Sequence, residues 1–166
     1  MEDILRNMER YLSYNPETGL FMRRKSGGGR YAKEGDVAGG KDKDGYIVIG
    51  FKGKKYKAYR LAFWFVDKII VPRDREIDHI NMVVDDNRFC NLRIATKSEN
   101  CWNRVAYNNN TSGYRGVYFN KRLGMWSGDV KFNGERIFLG YSHNKEDIRE
   151  KYKQVSSSLR GEFNRV

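Results

Sequence analysis

The stretch EIDHINMVVDDNRFCNLRIATKSEN, residues 76–100, sets His79, one of only two histidines in the chain, directly behind Asp78 and ahead of four asparagines. Imidazole exchanges protons near neutral pH, whereas asparagines by default form turns and caps. Which of these groups can share a site depends on the elements that carry them. EIDHI is short, β-branched and bounded by turn residues, as a strand is; VVDDNRF carries the turn signal Asp85-Asp86-Asn87; NLRIA reads as the return strand. Thr96 followed three residues later by Glu99 is a capping box, so Asn100 falls in the first turn of a helix running to about Arg104. A strand, long loop, strand, helix unit can bring Asp78 and His79 against Asn100. Neighbouring strand residues point to opposite faces, so the strand must end or twist at His79 for both to serve one site. Arg88, Arg93, Lys97 and Arg104 surround the segment and suit an approaching phosphate backbone.

Composition narrows the partners. The 166 residues hold 32 Lys and Arg against 21 acidic groups, a formal charge of +11, which favours polyanions by long-range attraction and counterion release. Both parts of the chain, split at Val105, carry a basic excess. No apolar run approaches the ~18 residues needed to span a bilayer, and the start, MEDILRNMERYL, is charged where a signal peptide is apolar. A soluble, intracellular protein is expected, with no membrane partner. Cys90 and Cys101 form no CxxC and no second pair, so two reduced, partly buried thiols are expected rather than a disulfide framework or a zinc site.

The remaining pattern divides the chain in two. EDILRNMERYL spaces Ile4, Leu5, Met8, Tyr11 and Leu12 as a short helix that NPETG stops, and LFMRR follows as a strand. KSGGGRYAKEGDVAGGKDKDG is a mobile connection without the GK[ST] of a phosphate-cradling loop. GYIVIGFKGKKYKAYR alternates around Lys52-Gly53-Lys54 as a hairpin, and RLAFWFVDKII follows with Phe63, Trp64 and Phe65 as core. YNNNTSG, residues 107–113, reads as a linker between residues 1–106 and 114–166. Beyond it GYRGVYFN, MWSGDVKF and ERIFLGY form three strands, the last two joined by the hairpin signal Asn133-Gly134. A helix capped by Asn144 carries Ile148, Tyr152, Val155 and Leu159 on one stripe. His143, in the turn before it, is a surface residue.

DHIN, DNR, NLR, AT-x-S-E-N and the following N-R resemble the HNH family of phage and intron homing endonucleases, the ββα-metal nucleases, at the spacing Asp78-His79, Asn91, Asn100. YNPETG, GDVAG, DGY and YRLAFW resemble the amino-terminal part of the same family. The resemblance implies an α+β chain in which a ββα-metal nuclease domain precedes a three-stranded antiparallel sheet packed on one helix. It implies that His79 is the general base for the attacking water and that Asp78 and Asn100 hold one divalent cation, Mg²⁺ or Mn²⁺, at each active site. Asn91 is then the orienter of the histidine ring and Asn87 the tie of the loop. Two positions depart from the family: Met82-Val83-Val84 replaces a glycine-containing loop, and Tyr59 stands where relatives often have His. A non-glycine at 82 is awkward if that backbone needs positive φ.

TSGYRGVYFNKRLGMW and FNGERIFLGY resemble the plant ethylene-response-factor DNA-binding domain. The alternation turns Trp126, Gly128, Val130 and Phe132 towards the helix and leaves a basic outer face. The first strand and its turn add Lys121 and Arg122 to that face as DNA contacts, and the resemblance places Arg115, Asp129, Lys131, Arg136 and Phe138 on DNA-facing positions. The expected function is a metal-dependent endonuclease acting on double-stranded DNA, in the host cytoplasm if the chain is phage-encoded. One site per chain cuts one strand, so a monomer nicks and a homodimer could break both. The alternative is a DNA-binding protein on a nuclease-derived fold that no longer cuts. A third reading, RNA binding, needs exposed sheet aromatics, and most aromatics here alternate inward.

Overall fold

The computed structural model describes residues 1–26, 32–103 and 110–164. It is an α+β fold of antiparallel sheets and helices, divided into two compact units, Met1–Lys97 and Ser98–Val166. Among the described residues no helix is long and apolar enough to cross a membrane.

The first unit opens with α1, Glu2–Met8. This helix is shorter than its periodicity suggests, because Leu12 belongs not to it but to β1, Leu12–Tyr14, paired antiparallel with β2, Phe21–Arg23. YLSYNPETGLFMR is therefore a hairpin, and NPETG is its turn. There the Asn15 side chain accepts from the backbone N–H groups of Glu17 and Thr18, the competition with helix that makes asparagine a turn former. A three-stranded sheet follows, β3 (Gly40–Lys41), β4 (Ile47–Phe51) and β5 (Lys54–Lys57), with β4 central. The β4–β5 turn has positive φ at both Lys52 and Gly53, as a two-residue hairpin turn of the twist-compatible type requires.

Helix α2, Ala58–Asp67, explains the run AFWF. Ala58, Leu61 and Trp64 face one core with Leu5, Met8, Leu12, Phe21 and Ile49, while Ala62 and Phe63 face a second core with Val71, Ile77 and Leu92. A helix between two cores is apolar on both sides, and the aromatic cluster is packing. The second core lies under the hairpin of β6, Glu76–His79, and β7, Leu92–Ala95, whose register pairs Asp78 with Arg93 and His79 with Leu92. Helix α3, Lys97–Trp102, begins directly after Thr96. Arg104, where the sequence ends that helix, lies outside the described residues, as do residues 27–31 of the glycine loop and 107–109 of the expected linker. Residues 110–114 are tied by Asn110, whose amide donates to the Tyr114 carbonyl and whose oxygen accepts from Ser112. Cys101 is half-buried, but Cys90 is exposed rather than partly buried.

In the second unit β8 (Val117–Asn120), β9 (Met125–Phe132) and β10 (Glu135–Ser142) form a sheet with β9 central, covered by α4, Lys145–Arg160. Asn133 and Gly134 both have positive φ at the β9–β10 turn, and the Asn144 side chain caps α4 by accepting from Glu146 N–H. Val117, Val130, Leu139, Ile148 and Tyr152 make the core.

One glycine links the fold to the site. Gly19, at the end of the β1–β2 turn, has φ +73°, and a Cβ there would lie 2.4 Å from both the Arg88 nitrogen and the Asn87 carbonyl carbon. Neither backbone atom can move aside cheaply. Gly19→Ala is expected to lower the free energy of unfolding by about 2 kcal/mol, measured by urea denaturation; a midpoint unchanged from wild type would show that the turn yields without disturbing Asn87.

Candidate functional site

His79 is the last residue of β6, 5% exposed, with Asp78 4% exposed before it. The strand ends where the two side chains need to part from strict alternation: Met82 N–H donates to the His79 carbonyl at 2.8 Å, closing a turn. Around the ring stand Tyr59 from α2, edge-on at 5.4 Å between centroids, and Tyr46 at 6.0 Å. These rings bury the imidazole, and burial holds its pKa below the usual histidine value, opposed by the hydrogen bond to Asn87 and the nearby carboxylates of Asp78, Asp86 and Asp85. His79 is neutral at neutral pH, the state in which it can accept a proton.

The tautomer follows from the amide network. Asn87 Nδ2 donates to the Asp85 carbonyl at 3.3 Å, which turns Asn87 Oδ1 towards His79 Nε2, 3.3 Å away. An amide oxygen only accepts, so Nε2 carries the hydrogen and Nδ1 the lone pair. Asn87 itself is held from behind: the Tyr14 hydroxyl donates to its backbone carbonyl at 2.6 Å, and Phe89 N–H donates to the Pro16 carbonyl at 2.9 Å. Burial raises the Tyr14 pKa far above its ordinary value, which keeps this donor protonated.

The two amides have exchanged the duties expected of them. Asn91 does not meet the ring; its Oδ1 accepts from Asn81 N–H at 3.0 Å and its Nδ2 donates to the Asp86 carbonyl at 2.8 Å. Its backbone carbonyl also accepts from Ile80 N–H. Asn91 thus ties both ends of the loop, and Asn87 orients the histidine. Asn81 Nδ2 and Arg88 hold the Asp86 carboxylate within the loop, and this pairing, Arg88 first, lowers the Asp86 pKa to about 2. Lys41 of β3 reaches Asp85 at 2.7 Å.

Several expected phosphate contacts are engaged within the protein. Arg93 donates through Nε at 2.9 Å and Nη2 at 2.7 Å to Asp78 Oδ2 and is only 12% exposed. Arg88 is half-exposed on the Asp86 carboxylate. Arg115, expected on the DNA-facing sheet surface, donates instead through Nη1 to the Trp102 carbonyl at 2.6 Å and through Nη2 to the Cys101 carbonyl at 3.0 Å. Those are end carbonyls of α3, which a six-residue helix leaves without intrahelical partners, and a guanidinium also complements the helix dipole there. Trp102 stacks on Phe132 at 5.2 Å, and the Arg160 guanidinium lies over the Trp102 ring. Lys97, Lys121, Arg122, Lys131 and Arg136 are exposed, although Arg136 also pairs with Asp129 at 3.3 Å. Asp78, His79, Asn87 and Asn91 come together in the first unit, while Asn100 lies half-buried on the part of α3 that belongs to the second.

Among the described residues no group of three or more His, Cys, Asp or Glu side chains is placed to hold a metal ion. A carboxylate with an amide is a smaller set of a different kind, made of hard oxygen donors only. The residues missed by sequence reasoning are Tyr14, Tyr46, Asn81 and Asp86. Their motifs, YNPETG and DGY, were visible, but nothing in their spacing says which loop they touch.

No protein-family model matches the chain. Protein 3.8 of Escherichia phage T7 is 35% identical over 83 residues, which are 49% of this chain and 69% of that protein. A solved structure described as "DNA binding and cleavage by the HNH homing endonuclease I-HmuI" is similar at 23% identity and a TM-score of 0.41, covering 55% of this chain and 49% of that one. The chain thus spans about half that structure's length.

Met82 has φ +63°, the left-handed region that costs a side-chain-bearing residue about 1–2 kcal/mol. Met82→Gly is expected to raise stability by roughly 0.5–1 kcal/mol after the entropic cost of glycine is subtracted. Thermal or urea unfolding measures it, and a lower midpoint would mean that the Met82 side chain contributes more packing than its backbone loses in strain.

Proposed function

The chain belongs to the family of protein 3.8 of Escherichia phage T7, and we infer that it is a divalent-metal-dependent DNA endonuclease of the HNH kind, hydrolysing phosphodiesters at His79. The name of the phage relative states no activity, so the reading rests on the residues. The observation that carries it is the fixed tautomer of a buried, neutral histidine, with Nε2–H on Asn87 and the lone pair on Nδ1. In the proposed reaction Nδ1 takes the proton of the water that attacks phosphorus, and the resulting imidazolium gains from Asn87 Oδ1, which accepts more strongly from a charged donor.

Asp78 and Asn100 would hold one Mg²⁺ or Mn²⁺ ion. Carboxylate and amide oxygens suit such hard cations, and the absence of sulfur or imidazole among these donors disfavours zinc. When bound, the cation would supply charge stabilisation at the scissile phosphate and the leaving 3′ oxygen. Arg93, bound to Asp78 Oδ2, fixes the plane of the carboxylate. The net charge of +11 supports a duplex DNA partner through counterion release, with Lys97, Lys121, Arg122, Lys131 and Arg136 as its phosphate and groove contacts. Residues 114–166, the sheet and helix, are the proposed DNA-binding domain, with 1–106 as the nuclease part. Intracellular action and dimerisation for double-strand cleavage belong to the same proposal.

One observation favours a second reading, a DNA-binding protein that does not cut: the Arg93 guanidinium already neutralises the carboxylate that would bind the cation. A supercoiled plasmid separates the two. With Mg²⁺ the wild-type chain is expected to nick or linearise it, a chelator to stop the reaction, and His79→Ala to slow it by roughly 10²–10⁴-fold. Equal product patterns from wild type and His79→Ala would remove His79 from the chemistry, and binding without any metal-dependent product would establish the second reading.

A further inference from the structure

The open face of the β8–β9–β10 sheet carries more than the basic groups expected of it. The register sets Tyr118 opposite Ser127 and Ser127 opposite Tyr141, so two tyrosines flank one serine across the three strands. Ser127 is only 1% exposed although it lies on the face away from α4, whereas Tyr118 and Tyr141 are 42% and 46% exposed. In the next row Phe138, opposite Asp129, is 52% exposed and meets Tyr141 edge-on at 5.0 Å. Simple alternation from Phe138 would turn Tyr141 towards the helix. A register shift between Phe138 and Tyr141, with Gly140 at φ +93°, turns it outward instead. Bulges re-aim side chains in this way, and here the result is three aromatic rings on one open surface. Phe138 is on the outer face as expected, and Tyr118 and Tyr141 join it there although most aromatics were expected to alternate inward.

The surroundings say what chemistry would cover them. Cations stand at both ends of the aromatic rows: Lys121 and Arg122 in the β8–β9 turn, Lys131 and Arg136 at the β9–β10 end, all exposed. A protein partner that buried three rings would meet this basic border as a desolvation cost, whereas a phosphate-linked chain of bases matches rings and cations together. Base-paired bases present edges, not faces, in the grooves of a duplex; rings lying on an open sheet need free base faces to stack on.

We propose that Tyr118, Phe138 and Tyr141 form a stacking platform for unpaired DNA bases, with Lys121, Arg122, Lys131 and Arg136 on the flanking phosphates. The proposal deepens the DNA-directed reading and rests on it: the preferred substrate is DNA with a single-stranded stretch, such as a gap, flap or fork, rather than an uninterrupted duplex. Serine at position 127 is the spacer that lets both tyrosine rings lie over the central strand.

Binding in the presence of a chelator tests this independently of cleavage, using the full chain and fluorescence anisotropy with a labelled thymidine oligomer, its duplex with deoxyadenosine, and the matching uridine oligomer. The expected result is tighter binding of the single DNA strand than of the duplex or the RNA. Tyr118→Ser with Tyr141→Ser should weaken the single strand by about tenfold or more and change duplex affinity less than about twofold. Tyr118→Phe with Tyr141→Phe should restore single-strand binding, since stacking survives loss of the hydroxyls. Equal loss on single strand and duplex, wild-type binding by the serine variant, or preference for the RNA would each overturn the platform. Loss of plasmid cleavage by His79→Ala together with any of these would leave the nuclease reading standing, and a retained platform without cleavage would remove that reading alone.

Discussion

The hydrogen bond between Asn87 Oδ1 and His79 Nε2 is the constraint on which the rest of the site depends, because an amide oxygen facing Nε2 places the ring hydrogen there. Its strength as a single bond is modest, about 1 kcal/mol net, and a lone asparagine could satisfy the ring in either flip. What makes it decisive is that Asn87 is held by three separate parts of the chain. Tyr14 of β1 takes its carbonyl, the Asp85 carbonyl takes its amide hydrogen, and the backbone of Gly19 closes against it without room for a methyl group. The amino-terminal hairpin, more than sixty residues away in sequence, is thereby part of the geometry around His79. Leaving a buried polar group unmatched costs about 1–3 kcal/mol, so the Asp85 tie penalises the flipped amide, while Tyr14 and Gly19 hold the backbone that carries it.

The loop that delivers Asn87 is strained where the rest is over-determined. Met82 sits in the left-handed region between His79 and Asp86, a conformation that persists only if the ends are fixed. Asn91 fixes them by bonding Asn81 N–H and the Asp86 carbonyl with one amide, and the Lys41–Asp85 pair adds a third point from β3. Asp86, with its carboxyl held near pKa 2 chiefly by Arg88, stays charged across the physiological range, so its hold on Asn81 does not vary with pH there. A loop pinned in this way can carry Met82-Val83-Val84 where glycine would be easier.

What was legible in the sequence followed from periodicity and local turn chemistry. The α4 stripe, the Asn133-Gly134 turn and the strand endings around DHIN and NLR are all decided within a few residues of themselves. The duties of Asn87 and Asn91 were not legible, since the two amides are chemically identical and only the path of the loop decides which one reaches the ring. Leu12 was misplaced because one turn of helix and the first residue of a hairpin share the same apolar spacing. The outward turn of Tyr141 was not legible, because a single register shift reverses every later side chain in a strand, and Gly140 is a weak signal for it. Tyr14 carried no sign of its role, as no local pattern records a contact across that much chain.

Arginine shows the same limit in electrostatic form. Counted in sequence, Arg93, Arg115 and Arg160 are positive charges like any other. In the structure Arg93 lies on Asp78, Arg115 forks onto the end of α3, and Arg160 bonds the Tyr152 hydroxyl and the Lys131 carbonyl. A guanidinium bound to carbonyls keeps its charge, so Arg115 and Arg160 still contribute to the long-range field that draws a polyanion in. Their bonded N–H groups are taken up within the protein. For the proposed DNA partner, long-range attraction and direct contact would then fall in part to different residues. On the open sheet the exposed cations are Lys121, Arg122, Lys131 and Arg136, the last of them shared with Asp129. A cation buried for structure would thus serve encounter without serving specificity.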